Sequence, residues 1–177
     1  MKERFKQLRD QYIMSIDVET NGLWGEPFAL AAIMYDPEGK EVDRLVARCP
    51  VQTPIHPFVQ ENVLPAMKDI EITHPTYSNM LKDFSDFWMK HTDKAIMLVH
   101  MGHICEARLI KDMRNGQFVD EFEAPFRWYD TCLFFEDKLQ DYIKENGIII
   151  DEVEKKPHSP LYDVIANYRA FRHFISE

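Results

Sequence analysis

Asp17 and Glu19 stand two positions apart where a mostly apolar run, Tyr12–Val18 (YIMSIDV), gives way to polar residues. In a strand, residues i and i+2 point to the same face. Two carboxylates held that close repel each other unless they share a proton or a cation. A pair of divalent metal ions would resolve the conflict and create a hydrolytic site. Near the other end of the chain, His158 precedes Asp163 by five residues, and Pro160 between them suits the first position of a helix. An acid one turn into a helix, with an imidazole on the loop before it, suits a metal ligand beside a general base. Histidine titrates near neutrality and can take a proton from water. Each segment taken alone also fits a plainer role: the polar end of a strand, a surface histidine, or an aspartate favoured by a helix dipole.

These side chains need a frame to hold them. Tyr12–Val18 suits a buried strand, and Asn21-Gly22 and Gly25-Glu26-Pro27 are turn signals. Phe28–Tyr35 reads as a second buried strand, and Glu41–Arg48 alternates like a half-exposed third one, so the first three strands form an antiparallel meander. Residues 49–75 carry Pro50, Pro54, Pro57, Pro65 and Pro75 and read as irregular, with one short helix near Phe58–Val63. Thr76 can cap a helix running to about His91, whose Phe84, Phe87 and Trp88 have core spacing. A strand at Ala95–His100, a helix from His103 to about Met113 and a short strand at Phe126–Tyr129 follow. A helix over Thr131–Asn146 and a last one from Ser159 to Ile175 complete the pattern, and residues 1–10 read as a short amphipathic helix. Strands first, then helices alternating with strands, imply one α/β domain with a mixed five-stranded sheet flanked by helices.

The 177 residues suit a single domain spanning 1–177, and 45% apolar residues suffice for a core. No apolar stretch of about 18 residues or more is present, so no membrane span is expected. The charged N-terminus does not read as a signal peptide. Cys49, Cys105 and Cys132 form no CxxC pair, which argues against a disulfide framework or a zinc ribbon and for a reducing, cytoplasmic setting. The net charge of −9 speaks against a protein that simply coats nucleic acid. It leaves room for an enzyme on nucleic acid, whose metal ions supply the positive charge.

Taken together, the segments resemble one family. Ile16-Asp17-Val18-Glu19-Thr20-Asn21-Gly22-Leu23 is similar to the Asp-x-Glu-Thr-x-Gly-Leu opening motif of the DEDDh 3′–5′ exonucleases, the DnaQ-like members of the ribonuclease H-like superfamily. His158-Ser159-Pro160-Leu161-Tyr162-Asp163 resembles their closing His-x-x-x-x-Asp motif. The family's middle motif reads His-Asn, then an Asp and a helical apolar pattern. Here that place is held by Val99-His100-Met101-Gly102-His103-Ile104-Cys105-Glu106, followed by Leu109 and Ile110. Glu106 stands for the Asp, one methylene longer, and Met101 or Gly102 replaces the Asn. His103 is a competing ligand candidate. Asp130 resembles a recurrent Asp-Thr of the family and reads as a helix cap.

The resemblance implies a ribonuclease H-like fold and a two-metal-ion 3′–5′ exonuclease releasing nucleoside 5′-monophosphates from the 3′ end of RNA or DNA. By the same resemblance, Asp17 bridges two Mg²⁺ or Mn²⁺ ions. Glu19 and Asp163 complete the ion nearest the attacking water, Glu106 holds the second ion directly or through water, and His158 deprotonates the water. Thr20, Asn21, Gly22, Leu23 and Trp24 form the turn that contacts the terminal nucleotide, with Leu23 or Trp24 stacking on its base. Trp24 could equally fold back onto the core. Lys155 and Lys156 are either phosphate-steering residues or an ordinary solvated pair, the second being the plainer reading. Homodimers are common among small relatives, and by analogy a homodimer is open here too. Two other classes remain: a catalytically weakened exonuclease fold that binds nucleic acid or a protein partner, motivated by Glu106, and a two-carboxylate glycosidase needing neither His158 nor a metal.

Overall fold

The computed structural model of the chain describes residues 5–151 and 153–176. Its strands are β1 (Tyr12–Thr20), β2 (Pro27–Tyr35), β3 (Glu41–Arg48), β4 (Ala95–Val99) and β5 (Trp128–Asp130). Its helices are α1 (Tyr77–Met89), α2 (Cys105–Asn115), α3 (Cys132–Phe135), α4 (Leu139–Glu145) and α5 (Pro160–Ser176). The sheet runs β3-β2-β1-β4-β5. The pairs β1–β2 and β2–β3 are antiparallel, while β1–β4 and β4–β5 are parallel. This is the mixed five-stranded, ribonuclease H-like α/β arrangement anticipated from the sequence, opened by an antiparallel meander.

Every residue of β2 is buried, so helices cover both faces of the sheet there. The alternation along β1 sorts the two layers. Met14, Ile16 and Val18 pack in one core with Met80, Phe84 and Trp88 of α1 and Leu109 and Met113 of α2. Ile13 faces the opposite way, into a core with Val164, Ile165, Tyr168 and Phe171 of α5. Ser15 shares that side, and its hydroxyl donates to the Val164 carbonyl at 2.9 Å. Continuing the two-residue period, Asp17 and Glu19 emerge on the α5 side at the end of the strand. Their cross-strand neighbours are Ala31 and Ala29, small residues that leave room for the acids.

Local differences from the sequence expectations have physical causes. The Thr131–Asn146 helix is split into α3 and α4. Glu136, at φ 52°, turns the chain into the left-handed region. Phe134 and Phe135 are anchored in an aromatic cluster with Phe5, Tyr142, Phe171 and Phe174, and the chain must bend to return Leu139 to the same core. The packing of several rings outweighs the helix propensity of a short segment. The helix expected near Phe58–Val63 is a π-helical turn, Val59–Val63, leading into one α turn, Leu64–Ala66. Lys6–Asp10 is a 3₁₀ helix, and the expectation for residues 1–4 lies outside the described residues. No helix among the described residues is long and apolar enough to cross a membrane.

Candidate active site

The sheet and α5 bring three sequence-predicted acids together. One carboxylate oxygen each from Asp17, Glu19 and Asp163 lies within 4.8 Å of the other two. β1 presents the first pair, and Asp163 meets them from the first turn of α5. Asp163 also fixes the loop before its own helix: its Oδ2 accepts the His158 backbone N–H at 2.8 Å. His158 sits there at φ 68°, exposed, its ring edge-on to Phe58 at 5.5 Å between centroids. The imidazole is thus tethered to the acid cluster through its own backbone, at the mouth of the site.

Glu106 arrives differently. It is 3% exposed in the first turn of α2, and its Oε1 accepts the Val18 N–H at 3.3 Å. β4 pairs with β1 only over Tyr12–Ser15, so Val18 lies beyond that pairing and takes a side-chain acceptor instead. Glu106 therefore does structural work and lies outside the three-acid group, although it lines the same cavity, of about 550 Å³, as Asp17, Glu19, Asp163 and His158. His103 is exposed at the same cavity's rim. The N-cap of α3 is Thr131 rather than Asp130; Asp130, one residue earlier, accepts the N–H of Cys132 and also those of Met101 and Gly102, which ties down the β4–α2 loop.

The electrostatics are those of crowded, poorly solvated carboxylates. Burial pushes the Asp17 carboxyl up to about 7. Burial and then the charges of Asp17, Asp163 and Glu106 hold Glu19 well above the carboxylate range. Burial and Asp17 do the same to Asp163, opposed by the His158 N–H. Glu106 is raised by burial and by Asp17. A hard divalent cation coordinated by oxygen would relieve all of these at once, so the donor set fits such an ion.

A second cleft, of about 660 Å³, adjoins the acids and shares Glu19, Leu23, Cys105 and His158 with the first. One wall is the turn Thr20–Gly25, and another is His56, Phe58 and Val63. Leu23 is 58% exposed and Trp24 75% exposed, so Trp24 does not fold onto the core. Thr20 and Asn21 serve the turn itself. Thr20 Oγ1 donates to the Gly22 carbonyl, and the Asn21 amide donates to Thr53 Oγ1 and the Pro54 carbonyl while its Oδ1 accepts the His56 N–H. Arg108 of α2 ties the far side, donating to the carbonyls of Trp24 and Gly25. Lys156 is not free for phosphate, since it pairs with Asp69 and Glu154. His56 and Phe58 escaped the sequence reading because they lie in the proline-rich stretch, where no periodicity marks an inward face.

Gly22 has φ 76°, and an added Cβ would stand 3.0 Å from the His56 ring. Gly22→Ala should therefore cost about 1–3 kcal/mol of stability and displace His56. Urea unfolding checks this, and an unchanged midpoint with unchanged slope would contradict the role given to the turn.

No protein-family model matches the sequence, and no curated protein does. Solved structures share the fold. Exonuclease X in complex with 5′ overhanging duplex DNA matches with a TM-score of 0.61 at 17% identity, over 93% of this chain and 91% of that one. E. coli exonuclease I in complex with a dT13 oligonucleotide matches with a TM-score of 0.66 at 15% identity, over 92% of this chain. An ExoI/SSB-Ct complex matches with a TM-score of 0.58 at 13% identity, over 94% of this chain. The chain spans 40% of the exonuclease I chain in the dT13 complex and 43% of it in the other.

Proposed function

We propose that the protein is a metal-dependent 3′–5′ exonuclease of the DEDDh type, hydrolysing phosphodiester bonds at the 3′ end of RNA or DNA to nucleoside 5′-monophosphates. The observation that carries this reading is the meeting of Asp17, Glu19 and Asp163, with His158 hydrogen-bonded through its backbone to the third acid. The likeness in fold to exonucleases X and I, seen with DNA, supports it. Asp17, Glu19 and Asp163 would hold the divalent cations, Mg²⁺ or Mn²⁺, with Glu106 as the further carboxylate beside them. When bound, these ions supply an acidified water and charge stabilisation for the departing 3′-oxygen.

The chain's own residues do the rest. His158, on an exposed loop at the cavity mouth, takes the proton of the attacking water. Leu23 and Trp24 offer apolar surface to the terminal base, and the turn from Thr20 to Gly22 is held rigid to present it. The acid cluster forms within one copy of the chain. Unpaired cysteines suit a reducing compartment such as the cytoplasm.

His158→Ala should slow single-turnover cleavage of a 3′-labelled strand by about 10²–10⁴-fold while leaving the metal-induced rise in melting temperature intact. A variant as fast as wild type would remove His158 from the mechanism. The alternative of a weakened exonuclease fold that binds without cutting is favoured by one observation, the engagement of Glu106 with Val18. It predicts tight binding of oligonucleotides with no product from wild type.

A further inference from the structure

We propose that the cavity beside the acids contains a hydroxyl-binding site, formed by His100 and Gln140, that reads the 2′-OH of the ribose destined to become the new 3′ end. This rests on the exonuclease reading and assigns it RNA as the preferred substrate.

His100 leaves β4 next to the acids. The β1–β4 pairing ends at Ser15 and Leu98, and His100 follows the last residue of β4. It lines the cavity that contains all four carboxylates. Its Nδ1 lies 2.9 Å from Thr131 Oγ1. Thr131 is fully buried and has one proton to give. Its candidate acceptors are Asn167 Oδ1 at 2.6 Å and the Val99 carbonyl at 3.2 Å. With that proton on Asn167 Oδ1, the nearer acceptor, Thr131 accepts from His100 and Nδ1 carries the hydrogen. Burial lowers the His100 pKa against the opposing charge of Asp130, and a neutral ring with its hydrogen on Nδ1 presents Nε2 as an acceptor.

Gln140 is held in a matching way. Tyr162, buried beside Asp163, donates its hydroxyl to Gln140 Oε1 at 2.9 Å. The Gln140 amide N–H groups remain to be given, and Gln140 lines the same cavity. One oriented acceptor and one oriented donor, both uncharged, complement a hydroxyl, which donates once and accepts once. A phosphate would call for cations, and neither group is one. The position decides which hydroxyl. In 3′–5′ cleavage the leaving atom at the metal site is the 3′-oxygen of the penultimate nucleotide, and its 2′-OH is one carbon away. Base edges lie further from the scissile bond. Asn167 sits one turn beyond Asp163 on α5 and also lines the cavity, so Thr131 links His100 to the helix that carries the third acid.

The test uses three oligoribonucleotides differing in one sugar: all-ribose, a single 2′-deoxy at the penultimate residue, and a single 2′-deoxy at the terminal residue. First-cleavage rates are measured with Mn²⁺ and affinities by fluorescence anisotropy with Ca²⁺. The penultimate deoxy substitution should slow cleavage and weaken binding about tenfold, and the terminal one should change either by less than about twofold. His100→Phe and Gln140→Leu should each erase the penultimate effect, Thr131→Val should reduce it, and Thr131→Ser, which keeps the hydroxyl, should preserve it. Equal behaviour of the three strands with wild type overturns the proposal even if the protein is an active exonuclease. Discrimination that survives both His100→Phe and Gln140→Leu overturns it as well. If no strand is cut, the exonuclease reading fails, and the affinities alone decide whether the sugar site exists.

Discussion

Asp17→Asn should reduce exonuclease activity on the order of 10⁴-fold or more and at the same time stabilise the metal-free protein. Asp17 raises the carboxyls of Glu19, Asp163 and Glu106 by its charge, and each of these is itself poorly solvated. Asparagine keeps the shape and removes the charge, so three repulsions are relieved by one substitution. At pH 8 the gain should be about 1–3 kcal/mol, since one unit of pKa shift corresponds to about 1.4 kcal/mol. An ordinary strand-end aspartate would give the opposite pattern, a small loss of stability and little effect on any activity. Denaturant unfolding with a chelator present, alongside cleavage rates with Mn²⁺, reads both effects. Destabilisation of the metal-free variant at pH 8 would contradict the picture of a strained acid cluster.

Without metal, the protein should lose stability as pH rises from about 4 to about 8, by an amount on the order of 4 kcal/mol. In the unfolded chain these carboxyls titrate near 4, whereas in the fold burial carries Asp17 up to about 7, and burial with mutual charge carries its neighbours upward too. The folded state therefore binds more protons than the unfolded state across that window. The stabilising contribution is complete below the unfolded pKa and is lost as pH climbs through the folded one. Divalent metal should invert the trend. Ligands must shed protons to bind it, so affinity rises with pH, and metal at a hundred times its dissociation constant should restore about 2.7 kcal/mol. Melting temperatures from pH 5 to pH 8.5, with and without Mn²⁺, should converge at the acidic end and separate at the alkaline end. A metal-induced shift that ignores pH would mean that the ion binds elsewhere.

Much of this architecture was legible because period and position carry it. The two-residue alternation of β1 puts Asp17 and Glu19 on the side opposite Ile16 and Val18, and Pro160 marks where α5 starts, which fixes Asp163 in its first turn. The break at Glu136 was not legible, since residues 131–146 contain neither glycine nor proline before Gly147 and the bend is imposed by where Phe134 and Phe135 pack. Nor was the structural engagement of Glu106. It depends on β4 parting from β1 after Ser15, a property of strand pairing that no local pattern records. His56 and Phe58 were hidden for a related reason: Asn21 draws their segment onto the Gly22 turn from more than thirty residues away in sequence. Likewise, the link from His100 through Thr131 to Asn167 joins β4, the β5–α3 corner and α5, which only the folded sheet brings together.

The central claim is that Asp17, Glu19 and Asp163, served by His158, cut nucleic acid from its 3′ end with divalent metal. Its most direct test is incubation of wild-type protein with a 5′-labelled single strand at pH 8, with Mn²⁺ or with a chelator, followed by gel and product analysis. The account predicts a metal-dependent ladder shortening from the 3′ end, nucleoside 5′-monophosphates as the released product, and no ladder from Asp17→Asn. A strand left intact with both Mg²⁺ and Mn²⁺, or an equal ladder from Asp17→Asn, would contradict it.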